Sequence, residues 1–340
     1  MGQQIIAADS PWQASLASYL LQPANISPES RLYYLNFVVF VACGLGAFWL
    51  RERGRGQKSP LGFLFPRNVY FSQSSLTDLK VYIANHFFSV QSAGLKLAAQ
   101  TLVAGVTAGA LHPFLSGLQL DGSAFWAMAT CAFLIAMASD FATYLTHRLS
   151  HENIFLWPFH RLHHSAEVLT PLTVHRQHPI YAFVRSAIQP LIAGPVIGLI
   201  VTIFNQASVW SILGYNAAYM IFNFAGANLR HSHIWISFGP IMSRIFISPA
   251  MHQVHHSIAL RHYNKNYGEV FALWDWMLGT LYIPTEREEI EFGVTQETGG
   301  SRIQPHPTLR DAYLGPIHEV ARLAGHHRNR ENPFYPNSQT

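Results

Sequence analysis

Charge is what this sequence has least of. Asp, Glu, Lys and Arg make up 12% of its 340 residues while 49% are hydrophobic, whereas roughly 25% of a soluble domain is charged. Such a chain reads as an integral membrane protein. Cysteine is almost absent: Cys43 and Cys131 both sit in apolar stretches, which excludes a disulfide framework and an iron–sulfur cluster. There is no Rossmann glycine motif and no HPGG-like haem segment. Disorder is excluded by 13% aromatic residues. The basic excess is small, 22 Lys and Arg against 18 Asp and Glu. Loops facing an anionic leaflet account for it, and no nucleic acid partner is expected.

The expected architecture is all-α, with about four to five transmembrane helices. Crossing about 30 Å of hydrocarbon takes about 20 apolar residues. Residues 32–50 supply such a run, closed by Arg51, Arg53 and Arg55, and its polar lead marks it as a retained span rather than a cleaved signal. Residues 60–92 mix aromatics with Arg67, Asp78 and Lys80 and read as an interfacial or loop segment. Two apolar hairpins follow, 93–117 with 123–146 around Asp121-Gly122, and 180–204 with 208–228 around Asn205-Gln206. Segments 1–31, 119–122 and 205–207 hold one basic residue, Arg31. The positive-inside rule therefore places the opposite face, with 51–92, 147–179 and 230–340, in the cytoplasm of a bacterial inner membrane or endoplasmic reticulum. The expected division is 1–122 as an N-terminal region with the first spans, 123–284 as a catalytic domain, and 285–340 as a C-terminal cytoplasmic region.

What the sequence has in excess is histidine. Nineteen histidines outnumber all carboxylates, and most fall between 147 and 262. They form boxes: His147-x-x-x-His151, His160-x-x-His163-His164 and His252-x-x-His255-His256. On a helix, positions i, i+3 and i+4 share a face about 5–6 Å apart, so each box aims its imidazoles at one place. Chance predicts about 0.06 HxxHH motifs at this composition, and the chain has two. Eight clustered imidazoles without a metal would leave most ring nitrogens without partners, whereas isolated histidines such as His86, His112, His306, His318, His326 and His327 read as ordinary polar residues. One tetrahedral zinc uses at most four ligands, so two metals are implied. With no thiolate and no H-E-x-x-H glutamate in the boxes, the nitrogen-rich set points to oxygen chemistry at iron.

In the order HxxxH, HxxHH, HxxHH on a multi-span protein, the chain resembles the fatty acid hydroxylase and sterol desaturase superfamily of membrane-bound di-iron oxygenases. The likeness runs over about 123–284. It includes Asp140 ahead of the first box, His178-Pro179, Asn266-Tyr267-Gly268, Trp274-Asp275 and Gly279-Thr280. The resemblance implies four membrane helices under a cytoplasmic cap that holds two Fe ions, with O2 as co-substrate. It implies ligation by His147, His151, His160, His163, His164, His252, His255 and His256, and by a further histidine after the last span, His231 or its neighbour His233. His178 is a further candidate ligand, and His175 and His262 stand behind it.

Asp140, Tyr144, His147 and His151 line one helix face, and a carboxylate within an apolar span needs a function or a partner. Asp140 is therefore expected to orient a ligand imidazole; Asp275 is expected to do the same or to cap a helix. Asn216 and Asn223 are expected to bond between helices, and Arg185 to snorkel to headgroups. The expected activity is O2-dependent hydroxylation or desaturation of an unactivated C–H in a membrane lipid, whether sterol, fatty acyl or related. Its electrons would come from a separate donor, a b-type cytochrome or a ferredoxin with its reductase. Two other classes compete. A divalent-metal transporter would place its ligands near the bilayer midplane, and a zinc-dependent membrane hydrolase would need a nucleophile or base among its ligands.

Overall fold

A computed structural model describes residues 34–52, 59–118, 120–122, 124–205, 228–295 and 300–328. The segment 1–31, nearly all of the expected span 208–228 with Asn216 and Asn223, and the tail beyond 328 lie outside the described residues. The described chain is helical, with two short two-stranded pairings. The principal helices are α1 (Tyr34–Ala47), α2 (Gln73–Leu115), α3 (Phe125–Glu152), α4 (Trp157–His164), α5 (Pro179–Ile203), α6 (Pro249–His255) and α7 (Leu309–Arg328). Among the described residues three stretches are long and apolar enough to cross a membrane, Gln91–Leu115, Phe125–Glu152 and Pro179–Ile203; α1 contributes the shorter apolar stretch Phe37–Leu50.

Sequence signals explain where the helices begin. Ser72 caps α2 by accepting from Ser75 N–H at 3.1 Å, and Ser248 caps α6 through Met251 N–H at 3.3 Å. Pro179 and Pro249 occupy first-turn positions, where a missing N–H costs nothing. α2 corrects the sequence reading. Residues 73–92, expected as interfacial or loop, belong to one continuous 43-residue helix, about 65 Å long. One polar face of it meets protein rather than water. Asp78 and Arg176, both fully buried, pair at 3.1 Å, and Asn85 Nδ2 donates to the Gln177 carbonyl at 2.6 Å. The helix stays regular because its polar face meets the cap.

Helix α5 packs on α2 through Gly194 and Gly198, four residues apart. A Cβ on Gly194 would lie 2.7 Å from Val103, and one on Gly198 would lie 2.6 Å from the backbone oxygen of Ala104. Small residues at this spacing let membrane helices approach closely, where van der Waals contact replaces the hydrophobic drive. On the far side of the spans, Leu120–Asp121 pairs in parallel with Phe204–Asn205, so the two expected hairpin turns meet there. The opposite end is closed by α4, α6 and α7. Val81 of α2, Leu162 of α4 and Ala312 of α7 share one buried cluster, and Phe40 of α1, with Phe48 just after it, packs against Phe63, Leu64, Leu229 and Ile234.

Two substitutions test this frame. Gly198→Val drives a side chain into α2 backbone and should lower the thermal-inactivation midpoint in detergent, whereas Gly105→Val, where a Cβ meets open space, should leave it near wild type. Asp78→Ala strands the Arg176 charge in the interior, and removing one partner of a buried pair costs about 3–5 kcal/mol. The same assay should register it as a loss larger than that of an exposed ion pair such as Arg148–Glu152.

Candidate metal centre

The C-terminal end of α3 meets α4 and α6 in a single compartment. α3 carries His147 and His151 in its last two turns, α4 carries His160, His163 and His164, and α6 carries His252 and His255, with His256 at its C-cap. His231 joins them from the turn after Asn228–Arg230. Helical spacing alone makes each box converge, and tertiary packing makes the boxes meet. Two groups result: His147, His151, His160, His164 and His255 in one, and His163, His231, His252 and His256 in the other. The ligand-capable atoms of each group lie within 4.8 Å of one another. The groups adjoin, since the rings of His164 and His256 stack with centroids 4.5 Å apart.

Several bonds settle the tautomers. His147 Nδ1–H donates to the Tyr267 carbonyl at 2.7 Å, His255 Nδ1–H to the Lys265 carbonyl at 2.8 Å and His163 Nδ1–H to the Thr173 carbonyl at 3.2 Å. A carbonyl only accepts, so each Nδ1 holds the proton and each Nε2 keeps its lone pair. In the first group the buried Nε2 atoms of His147, His151, His160, His164 and His255 have no hydrogen-bond partner, and an unsatisfied buried polar atom costs about 1–3 kcal/mol. In the second, Nε2 atoms approach one another: His231 to His163 at 3.2 Å, His252 to His231 at 2.9 Å and His256 to His252 at 3.2 Å. Lone pairs at that spacing repel unless a proton or a cation lies among them. Burial, and then the neighbouring imidazoles, hold His160, His164, His252, His255 and His256 well below the ordinary histidine range. Neutral rings with inward lone pairs are what a metal needs, so both groups are capable of holding a metal ion.

The carboxylates act at one remove. Asp275 accepts from Tyr267 and Gly268 N–H, both at 2.8 Å, and from the Thr280 hydroxyl at 2.6 Å. It thereby fixes the peptide whose carbonyl orients His147. Asp140 accepts from Val270 N–H, Phe271 N–H and Trp274 Nε1–H at 3.0, 3.1 and 2.9 Å. Neither bonds directly to an imidazole: both carboxylates are spent on the loop between α6 and the short helix Leu273–Met277. In that loop Asn264 and Asn266 take positive φ of 57°, a conformation asparagine tolerates. Around these two turns the chain presents the carbonyls of Lys265 and Tyr267. The Asn266 side chain pins the loop to Met251 and Tyr282.

Other sequence expectations resolve differently. His178 lies in neither group: its Nδ1 caps α5 by accepting from Ile180 N–H at 3.1 Å, and its Nε2 bonds the Tyr313 carbonyl at 3.0 Å. With both nitrogens occupied, it has no lone pair to offer an ion. His233 turns away to the Phe63 carbonyl at 2.7 Å, so of the pair it is His231 that joins a group. His262 faces Glu288 at 3.1 Å, and His175 packs on Tyr82. Arg185 does not snorkel; it bonds Glu269 at 3.1 Å and Thr143 at 3.3 Å. Missed from sequence was the support behind His163. Arg176 donates to Leu162 O, Ser165 Oγ and Asp78, and Asp78 accepts from Thr173 Oγ1 at 2.6 Å, which holds the Thr173 carbonyl in place. The only local hint was the pair of charges Asp78 and Arg176, nearly a hundred residues apart.

Metal analysis of purified variants separates these roles. Alanine at His151 or His256 should cut metal content sharply. Asp275→Asn should lower metal affinity about 10–100-fold, the usual loss for an outer partner, because its amide sets an N–H against donors. His178→Ala should leave metal content unchanged while lowering stability, through the lost cap, typically about 1 kcal/mol, and through the lost bond to the Tyr313 carbonyl.

The family model for fatty acid hydroxylase matches residues 132–280, which hold both histidine groups entirely. Ornithine lipid hydroxylase OlsE of Rhizobium tropici is 33% identical over 172 residues, 50% of this chain and 47% of the relative. Alkylglycerol monooxygenase of Caenorhabditis elegans is 31% identical over 167 residues, 48% of this chain and 28% of the relative. The Delta(7)-sterol 5(6)-desaturase ERG3A of Gibberella zeae is 27% identical over 169 residues, 49% and 42% of the two chains. The match thus spans less than half the length of each of these relatives. No solved structure matches. Boxes, cluster geometry and matched segment coincide: residues 132–280 match the fatty acid hydroxylase family, and over that segment the chain is similar to members of the fatty acid hydroxylase and sterol desaturase superfamily.

Proposed function

We propose that this protein is an O2-dependent oxidoreductase that hydroxylates or desaturates an unactivated C–H bond of a membrane lipid. The observation that carries the reading is the pair of adjoining, buried, all-imidazole groups at the ends of apolar helices. In this reading His147, His151, His160, His164 and His255 hold one iron, and His163, His231, His252 and His256 hold the other. When reduced, such a pair activates O2 for attack on a C–H bond that acid–base groups cannot break.

The protein's own part is positioning. The carbonyls of Tyr267, Lys265 and Thr173 keep three rings in the productive tautomer. The buried compartment excludes water from reactive species, and α3 and α5 run from it into the apolar layer, where a lipid chain approaches without leaving the membrane. We place the active site on the cytoplasmic face, following the charge bias of the loops. Electrons come from a separate b-type cytochrome or ferredoxin system docking on the cap. The relatives named above carry lipid and sterol substrates in their names, which supports a lipid here. A transporter reading is disfavoured because both groups sit at the helix ends rather than mid-span, and a hydrolase reading because neither group includes a carboxylate base.

Protein made in iron-replete cells and purified gently should carry about two iron atoms per chain, since nine imidazoles exceed the four that one closed site uses. Lipid profiles of cells with and without the protein should differ by species that have gained one oxygen atom or lost two hydrogens. The difference should vanish in a His163→Ala, His255→Ala double variant. One metal per chain with full turnover, or an unchanged lipid profile, would refute the reading.

A further inference from the structure

The cap carries an apolar edge that the metal centre does not use. Phe238, Ile241, Met242 and Ile245 are exposed at helical spacing around the turn Gly239–Met242. Trp276, Met277 and Leu278 are exposed at the end of the short helix Leu273–Met277. The two stretches are neighbours, since Ala272 N–H donates to the Ile245 carbonyl at 2.9 Å, Ile247 N–H donates to the Val270 carbonyl at 3.0 Å, and Phe246 and Phe271 form a bridge. Together these neighbouring stretches expose seven large apolar side chains. Contiguous patches of this kind on a folded protein mark contact with a partner or a membrane.

The depth of this edge selects the occupant. Residues 270–274 hang from Asp140 by three hydrogen bonds, and Trp274 packs on Phe141 with ring centroids 4.9 Å apart. Asp140 lies inside α3. Counting about 20 residues of hydrocarbon from Phe125 puts the near edge of the apolar layer around residue 145, and Asp140 roughly 7 Å below it. Glu269, one residue before the hung segment, reaches Arg185, which the same count of about 20 residues from Ile203 puts at the edge of the apolar layer. The two anchors hold the loop at and below the level at which the spans leave the hydrocarbon. Arg244 is exposed beside the patch, where its charge can reach headgroups.

We propose that residues 238–245 and 273–278 form a non-spanning insertion that dips into the acyl region of the leaflet bordering the metal centre, with Trp276 at the headgroup level. The occupant is the lipid surface itself. Interfacial segments bury their apolar face about 5–10 Å into the headgroup and acyl boundary, which matches the depth set by Asp140. The proposal rests on the reading that α3 and α5 lie in a bilayer.

The test is spin-label accessibility for the full chain in lipid nanodiscs, after replacing Cys43 and Cys131 by serine. Single labels go to Met277→Cys and Ile241→Cys, with Phe133→Cys as the span control and Glu286→Cys as the water control; Phe133 is 55% exposed on α3. Labels at 241 and 277 should collide several-fold more with O2 than with a water-soluble nickel chelate, as at 133, with 286 reversed. Nickel access at 241 and 277 equal to that at 286, with 133 still lipid-like, overturns the insertion alone. Nickel access at 133 overturns the span reading beneath it. Labels that are open to nickel until a soluble electron-donor protein is added would make the patch a protein-docking face and refute the lipid assignment. Should one labelled variant fail to fold, the other reads the same surface from a different segment.

Discussion

Everything in the described structure answers to one constraint: nine imidazoles must sit side by side in a largely buried compartment, with their ligand-capable atoms turned toward one another. Protonation of any one would set a charge in a dry compartment beside other rings, and burial opposes it. Each ring whose tautomer the structure settles is held by a carbonyl behind Nδ1. Those carbonyls belong to loops, which by themselves have no reason to hold still.

Two polar networks hold them. Below the centre, Asp140 and Asp275 organise residues 266–280 and so tie the cap to α3. Above, the Asp78–Arg176 pair ties α2 to α4 and to the Thr173 carbonyl. Buried ion pairs contribute little net stability compared with apolar packing, and here the pair's consequence is geometric. It locks a helix from the membrane onto the loop behind His163. Spans and cap are therefore one mechanical unit, in which the depth of the histidine compartment relative to the apolar layer is set by hydrogen bonds rather than by a hinge. The same bonds lower residues 238–245 and 273–278 toward the lipid.

The boxes were legible in sequence because their geometry is local: spacing of three and four on a helix converges whatever the rest of the chain does. The apolar stretches were legible for a similar reason, since span length follows from bilayer thickness. Over residues 73–92 the loop alternative fails, because the polar face of α2 is buried against Arg176, a partner that no local pattern reveals. Asp140 was rightly singled out as costly in an apolar span, but its three donors come from residues about 130 positions later, so its connection to a loop rather than to an imidazole was invisible. His178 shows the opposite error. A histidine before a proline at a helix start looks like a ligand beside other boxes, while its local geometry makes it a cap.

The sequence by itself determined that the chain is a membrane protein with converging histidine boxes suited to two metals, because both conclusions rest on short-range periodicity and composition. Only the tertiary structure decided how the rings divide into groups of five and four, that His231 rather than His233 joins them, and which backbone carbonyls fix their tautomers. Those outcomes depend on contacts between residues tens to more than a hundred positions apart, where packing of whole helices, and not the pattern within any one of them, sets which atoms meet.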